Sequence, residues 1–181
     1  MITENKIVEI IELAKKCNKC ALHYFKKFDY KSVSYKEDCS PLTNADIKVN
    51  DIAVAGLKKL FPDIDIISEE LYKSHNTSNN KKYFWLIDPI DGTKEFINKS
   101  PNFTVNFALI KYNSPIFGLI SQPTTGKIWY NFSNKSWRLD KNQDFKRSQR
   151  IQCKKINYQK LRTLSSFNHR SKELENWISF V

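Results

Sequence analysis

Asp88 and Asp91 stand three residues apart in W-L-I-D-P-I-D-G-T-K-E-F (residues 85–96), after an apolar run and before a Gly-Thr turn. Carboxylates at the mouth of a core are costly unless they are paired or hold a metal. Upstream, D-I-D-I-I-S-E-E (63–70) finishes in Glu69 and Glu70. Glu69 and Asp88 each close a strand-like run, where side chains of neighbouring strands can converge. Pro89 fixes the backbone so that Asp88 and Asp91 can point to one side, and it frees the Ile90 carbonyl for coordination. Three carboxylates and a carbonyl, with no His or Cys nearby, are hard oxygen donors. They suit Mg²⁺, which keeps several waters and binds through a few carboxylates plus substrate phosphate. Gly92-Thr93 opens a short helical turn, T-K-E-F-I-N, whose N–H groups can cradle a phosphate. The chemistry indicated is metal-assisted phosphomonoester hydrolysis. Taken alone, D-P-x-D-G-T is equally an ordinary turn that caps a helix.

The elements that must position these groups are visible in the periodicity. Ile7, Ile10, Ile11, Ala14, Cys17, Ala21 and Phe25 share one helical face, which predicts an amphipathic helix over 4–27. A short strand and a polar loop follow. Thr43 or Asn44 can cap a second helix that runs to about Leu60, before Phe61-Pro62 ends it. Residues 73–82 read as a polar loop. Runs at 83–88, 103–112, 115–123, 127–133 and 136–140 are expected to form an antiparallel meander, with turns at Asn113-Ser114 and Thr124-Thr125-Gly126. Residues 141–160 read as a loop with one short strand, L-R-T-L-S-S-F (161–167) as a strand, and Lys172 onward as a helix. The expected architecture is a single α+β layered domain over 1–181. Trp177, Ile178, Phe180 and Val181 follow no helix stop signal, so the sequence reads as interrupted at its C-terminal side.

Composition removes several alternatives. Hydrophobic residues make up 40% of the 181, which argues against global disorder. No apolar run approaches the ~20 residues of a membrane span, and the first residues lack a signal-peptide core. Four cysteines are too few and too scattered for a disulfide framework. Cys17-Asn-Lys-Cys20 lies inside a helical pattern, so helix packing is the better reading than redox or metal chemistry. The net charge of +11 comes from 25 Lys and 5 Arg spread along the chain. Nucleic-acid readers concentrate arginine in a stripe, so nucleic acid is the least favoured partner. The charge can still draw in an anionic small substrate. The expected location is the cytoplasm, with peripheral attachment at the inner face of the plasma membrane as an alternative.

Three segments carry a resemblance. V-S-Y-K-E-D-C-S-P-L-T-N-A-D (33–46), I-I-S-E-E (66–70) and W-L-I-D-P-I-D-G-T-K-E-F-I-N-K-S-P-N-F-T-V-N-F-A-L-I (85–110) resemble the N-terminal part of the inositol-monophosphatase superfamily of magnesium-dependent, lithium-sensitive phosphatases. K-E-F after D-G-T, and L-S-S-F-N-H-R-S-K-E-L-E-N-W (164–177), resemble its 3'(2'),5'-bisphosphate nucleotidase (CysQ-type) branch. The resemblance implies the first half of a layered α/β sandwich whose second α/β layer is missing. It implies two or three Mg²⁺ ions, with Li⁺ inhibitory, held by Glu69, Asp88, Asp91 and the Ile90 carbonyl. Asp91, Gly92 and Thr93 would bind substrate, with Lys36 and His169 as weaker assignments. Asp46 with Thr93 would activate the attacking water, with Glu69 also in the catalytic set. The implied substrate is adenosine 3',5'-bisphosphate or its sulfated relative; inositol or sugar monophosphates are the alternative, and a non-catalytic remnant a further one. Asp46 is also a plausible first-turn helix acid, and His169 a surface histidine near a helix start. The family's later metal-binding Asp follows a Trp, but Trp85, Trp129, Trp137 and Trp177 precede Leu, Tyr, Arg and Ile. Weakened binding at one metal position and an uncovered, self-associating sheet face are therefore expected.

Overall fold

A computed structural model describes residues 2–29, 33–35, 41–70, 82–160, 164–165 and 170–180. Helix α1 (Glu4–Lys27) starts at Thr3, whose hydroxyl accepts from the Lys6 N–H at 3.4 Å, and closes with Lys26 and Lys27 beside its negative end. Its buried stripe is Ile7, Ile10, Ile11, Ala14, Cys17 and Ala21, as the periodicity requires. Strands β1 (Val33–Tyr35) and β2 (Pro41–Thr43) pair antiparallel. Helix α2 (Asn44–Leu60) follows directly, with Thr43 as its cap.

Seven further strands form one sheet in chain order: β3 (Asp65–Ser68), β4 (Tyr83–Asp91), β5 (Thr104–Lys111), β6 (Ser114–Gln122), β7 (Lys127–Phe132), β8 (Lys135–Leu139) and β9 (Gln149–Ile151). β3 and β4 are parallel; all later neighbours are antiparallel, the expected meander. A five-residue helix, α3 (Thr93–Ile97), leaves the end of β4. Helix α2 packs on β3 and β4, and α1 packs on α2, β5 and β6. Strand residues of one parity face these helices: Trp85, Ile87, Val105, Phe107, Leu109, Phe117 and Leu119 are all buried. The opposite parity carries Leu86, Ile116 and Ile120, which are 45%, 44% and 49% exposed. Exposed apolar residues thus sit on the sheet face away from the helices, where an uncovered face was expected.

The chain divides into a compact unit of residues 1–151 and a small unit of residues 152–181. In the small unit, α4 (Lys172–Phe180) begins at Ser171, whose hydroxyl accepts from the Leu174 N–H. The strand expected over 161–167 does not form at Leu164 and Ser165, which belong to neither helix nor strand; the rest of that segment lies outside the described residues, as does nearly all of the expected loop at 73–82. Among the described residues no helix is long and apolar enough to cross a membrane.

Candidate active site

The carboxylates meet because parallel strands bring their C-terminal ends to one edge. β3 stops at Ser68, two residues earlier than the run S-E-E suggested, and Glu69 sits in the turn beyond it. Its N–H still extends the ladder, donating to the Ile87 carbonyl at 3.1 Å, which seats Glu69 beside Asp88. β4 does not end at Asp88. It continues through Pro89 to Asp91 with a register shift: Asp88 faces Asn106 on β5 and Asp91 faces Thr104. Three steps on β4 oppose two on β5, a bulge, which is where proline is tolerated inside a sheet. Residues three apart on a regular strand point to opposite faces; the bulge turns Asp91 back toward the Asp88 side. The Asn106 amide, on that side, donates from Nδ2 to Asp91 Oδ2 at 3.0 Å.

Asp46 enters from the start of α2. It is 1% exposed, and its Oδ2 accepts from both the N–H and the hydroxyl of Thr43, at 2.8 and 2.6 Å. The helix cap therefore anchors this carboxylate, so its role as a first-turn helix acid and its place in the site coexist. Its Oδ1 faces Thr93 Oγ1 at 3.4 Å, while that hydroxyl also lies 3.1 Å from the Ile90 carbonyl, its other acceptor. Thr93 so joins the helix start to the bulged strand. Gly92, at φ +93°, makes the turn between them, and a side chain there would come within 3.1 Å of the Asn102 carbonyl oxygen. Phe96 of α3 is buried against Phe25 of α1 and Phe103, with ring centroids 5.4 and 5.0 Å away. Burying such a ring contributes roughly 1.5–3 kcal/mol and pins the Gly-Thr turn to the body of the fold.

Electrostatics singles out Asp88. Burial, then the neighbouring charges of Glu69 and Asp91, a hydrogen bond with Glu69 and the charge of Asp46 push the Asp88 carboxyl up to about 8. Four acidic groups therefore act on one another at one place. Asp88 Oδ1 is buried with no hydrogen-bond partner among the described residues. No three His, Cys, Asp or Glu side chains among those residues already close round a point as ligands would. Oxygen-only donors, mutual repulsion and a stranded carboxylate oxygen are what a hard divalent cation relieves, so these residues fit one.

Lys36 and His169 lie outside the described residues. His23 is on α1, edge-on to the neighbouring Tyr24 ring. Cys17 is buried and its thiol is pushed up to about 12, chiefly by burial, which makes it a packing group. A cavity of about 200 Å³ beside the start of α2 is lined by His23, Tyr24, Lys27, Thr43 and Phe96 among others, without Glu69, Asp88 or Asp91. Asn106 was not singled out by the sequence; the alternation of T-V-N-F-A-L-I, which puts an amide among apolar strand residues, was the available signal.

A sequence model of the inositol monophosphatase family matches residues 4–178. The chain belongs to the inositol monophosphatase family. Over 133 residues it is 38% identical to the 3'(2'),5'-bisphosphate nucleotidase CysQ of Buchnera aphidicola, a match covering 74% of this chain and 50% of that protein. CysQ from Bacteroides thetaiotaomicron, a solved family structure, superposes with a TM-score of 0.73 at 26% identity, covering 97% of this chain and 67% of that one. A staphylococcal inositol monophosphatase-1, solved as a lithium chloride-soaked inhibitory complex, shares the fold at a TM-score of 0.65 and 18% identity, with 76% and 52% covered. The α+β layered fold of the family is thus present, in part: the chain spans about half the length of the curated relatives it matches.

Proposed function

We propose that the chain carries the metal- and phosphate-binding half of a magnesium-dependent 3'(2'),5'-bisphosphate nucleotidase. The substrate would be adenosine 3',5'-bisphosphate or its sulfated relative, losing the 3'-phosphate to give AMP or adenosine phosphosulfate. The observation that carries this reading is the meeting of Asp46, Thr93 and the Ile90 carbonyl beside the Glu69–Asp88–Asp91 cluster. Similarity to CysQ nucleotidases of several bacteria supports the substrate class.

Glu69, Asp88, Asp91 and the Ile90 carbonyl would hold the ions. Bound magnesium would lower the pKa of the attacking water and offset charge on the leaving oxygen. Thr93 Oγ1 takes the proton of that water and passes its own to Asp46 Oδ1, whose partner oxygen is fixed by Thr43. The Gly92-Thr93 turn offers N–H groups to the phosphate, and Gly92 admits close approach. The water's oxygen would then bond to phosphorus in line as the phosphorus–nucleoside oxygen bond breaks, and the leaving oxygen would take a proton from solvent. The chain's positive charge favours encounter with an anionic nucleotide in the cytoplasm. Lys36 and His169 remain substrate-binding candidates on the strength of the resemblance alone.

The test is phosphate release from adenosine 3',5'-bisphosphate by the 181-residue chain with Mg²⁺. Turnover is expected, with inhibition by Li⁺ and a loss of about 100-fold or more in Asp46→Asn. A folded, magnesium-loaded sample without turnover overturns the reading. The partial length of the chain favours one second reading, a domain that binds metal and phosphate but does not turn over; retained Mg²⁺ binding without phosphate release would identify it. Faster release from inositol monophosphate would reassign the substrate.

A further inference from the structure

Asn106 stands opposite Asp88 in the β4–β5 ladder, so the two side chains share a sheet face. From there its Nδ2 reaches diagonally across the bulge to Asp91 Oδ2 at 3.0 Å. Its Oδ1 is buried without a hydrogen-bond partner among the described residues, and Asp88 Oδ1 is in the same condition. The amide's orientation is decided by that contact, since turning it over would set oxygen against a carboxylate oxygen.

We propose that Asn106 is a positioning residue of the carboxylate site: it holds Asp91 in register with Asp88 across the bulge and adds its Oδ1 as a neutral oxygen on the cation side. This rests on the metal-site reading above. The residue type matters at this spot. A lysine or arginine would neutralise the carboxylates and displace the cation. An aspartate would add a like charge to a cluster that already repels itself. A serine is too short to cross the bulge. An amide alone among these fixes one carboxylate by a hydrogen bond, leaves the net negative charge intact and still offers an acceptor. Groups that orient metal-binding carboxylates in this way govern metal affinity nearly as strongly as the ligands do.

The experiment measures Mn²⁺ binding to the full chain through the electron-spin-resonance signal of free Mn²⁺, beside thermal melting of the metal-free protein. Asn106→Leu, close to isosteric, and Asn106→Ser should each weaken Mn²⁺ binding by roughly tenfold or more, with the metal-free melting midpoint little changed. Asn106→His, which keeps a neutral donor, should recover part of the loss. Asp88→Asn is the reference and should lose binding. If the Leu and Ser variants bind like the unsubstituted chain while Asp88→Asn does not, Asn106 is only packing, and the site reading survives without it. A binding loss that tracks a lowered midpoint and is not recovered by His also overturns the proposal. Unchanged binding in Asp88→Asn would sink the metal-site reading itself.

Discussion

Asp88 is the residue on which the site's electrostatics converge, and it sets a pH dependence with a definite sign. Its carboxyl is pushed from 3.8 to about 8 in the folded chain, first by burial and then by Glu69 and Asp91. Between those values the native state binds a proton that the unfolded state has released. Stability of the metal-free protein is then undiminished below about pH 4, falls as pH rises through the window, and levels off above about pH 8. Urea unfolding in chelator at about pH 5 and about pH 8.5 checks this: the unsubstituted chain should lose stability at the higher pH, and Asp88→Asn should lose much less. Equal losses in both would remove Asp88 as the cause.

Among the elements, the join between α2 and β3 fixes how the acid at the helix start stands relative to the acid at the strand end. Asn50 lies one turn after Asp46 on α2, and its Oδ1 accepts from the hydroxyl of Ser68, the residue before Glu69, at 2.6 Å. Both are buried, at 4% and 1% exposure. Removing one partner strands the other in the core. Asn50→Ala and Ser68→Ala are each expected to lower stability by ~1–3 kcal/mol. The double variant should cost less than the sum, because it strands neither group. Denaturant unfolding of the four proteins measures the coupling; strict additivity would mean the bond is not formed in solution.

Across the unit of residues 1–151, helices α1 and α2 cover one side of the sheet. On the other, Leu86 of β4 and Ile116 and Ile120 of β6 are each nearly half exposed. The native chain should therefore bind the fluorescent dye ANS, with Leu86→Lys and Ile120→Lys each lowering the signal while melting stays similar. No dye binding by a folded sample would show that this face is closed in solution. The exposed face and the partial coverage of relatives agree in direction, since CysQ of Bacteroides thetaiotaomicron has about a third of its length outside the match.

Local chemistry in the sequence determined much of this protein. The 3.6-residue stripe of α1, the Thr43 cap of α2 and the turn residues of the meander act over a few residues, so the order of types shows them. Cys17 and Cys20 were likewise correctly placed within a helix by periodicity alone. What tertiary structure decided lies in contacts between distant segments. The bulge that returns Asp91 to the Asp88 side depends on the register of β4 against β5, and pairing register is set by the whole sheet, not by Pro89 alone. The Asn50–Ser68 and Asn106–Asp91 bonds join separate segments, so local pattern can mark an amide such as Asn106 as unusual in a strand but cannot name its partner. The strand expected over 161–167 is not formed at Leu164 and Ser165; local composition suggests a strand, but pairing with another segment decides it.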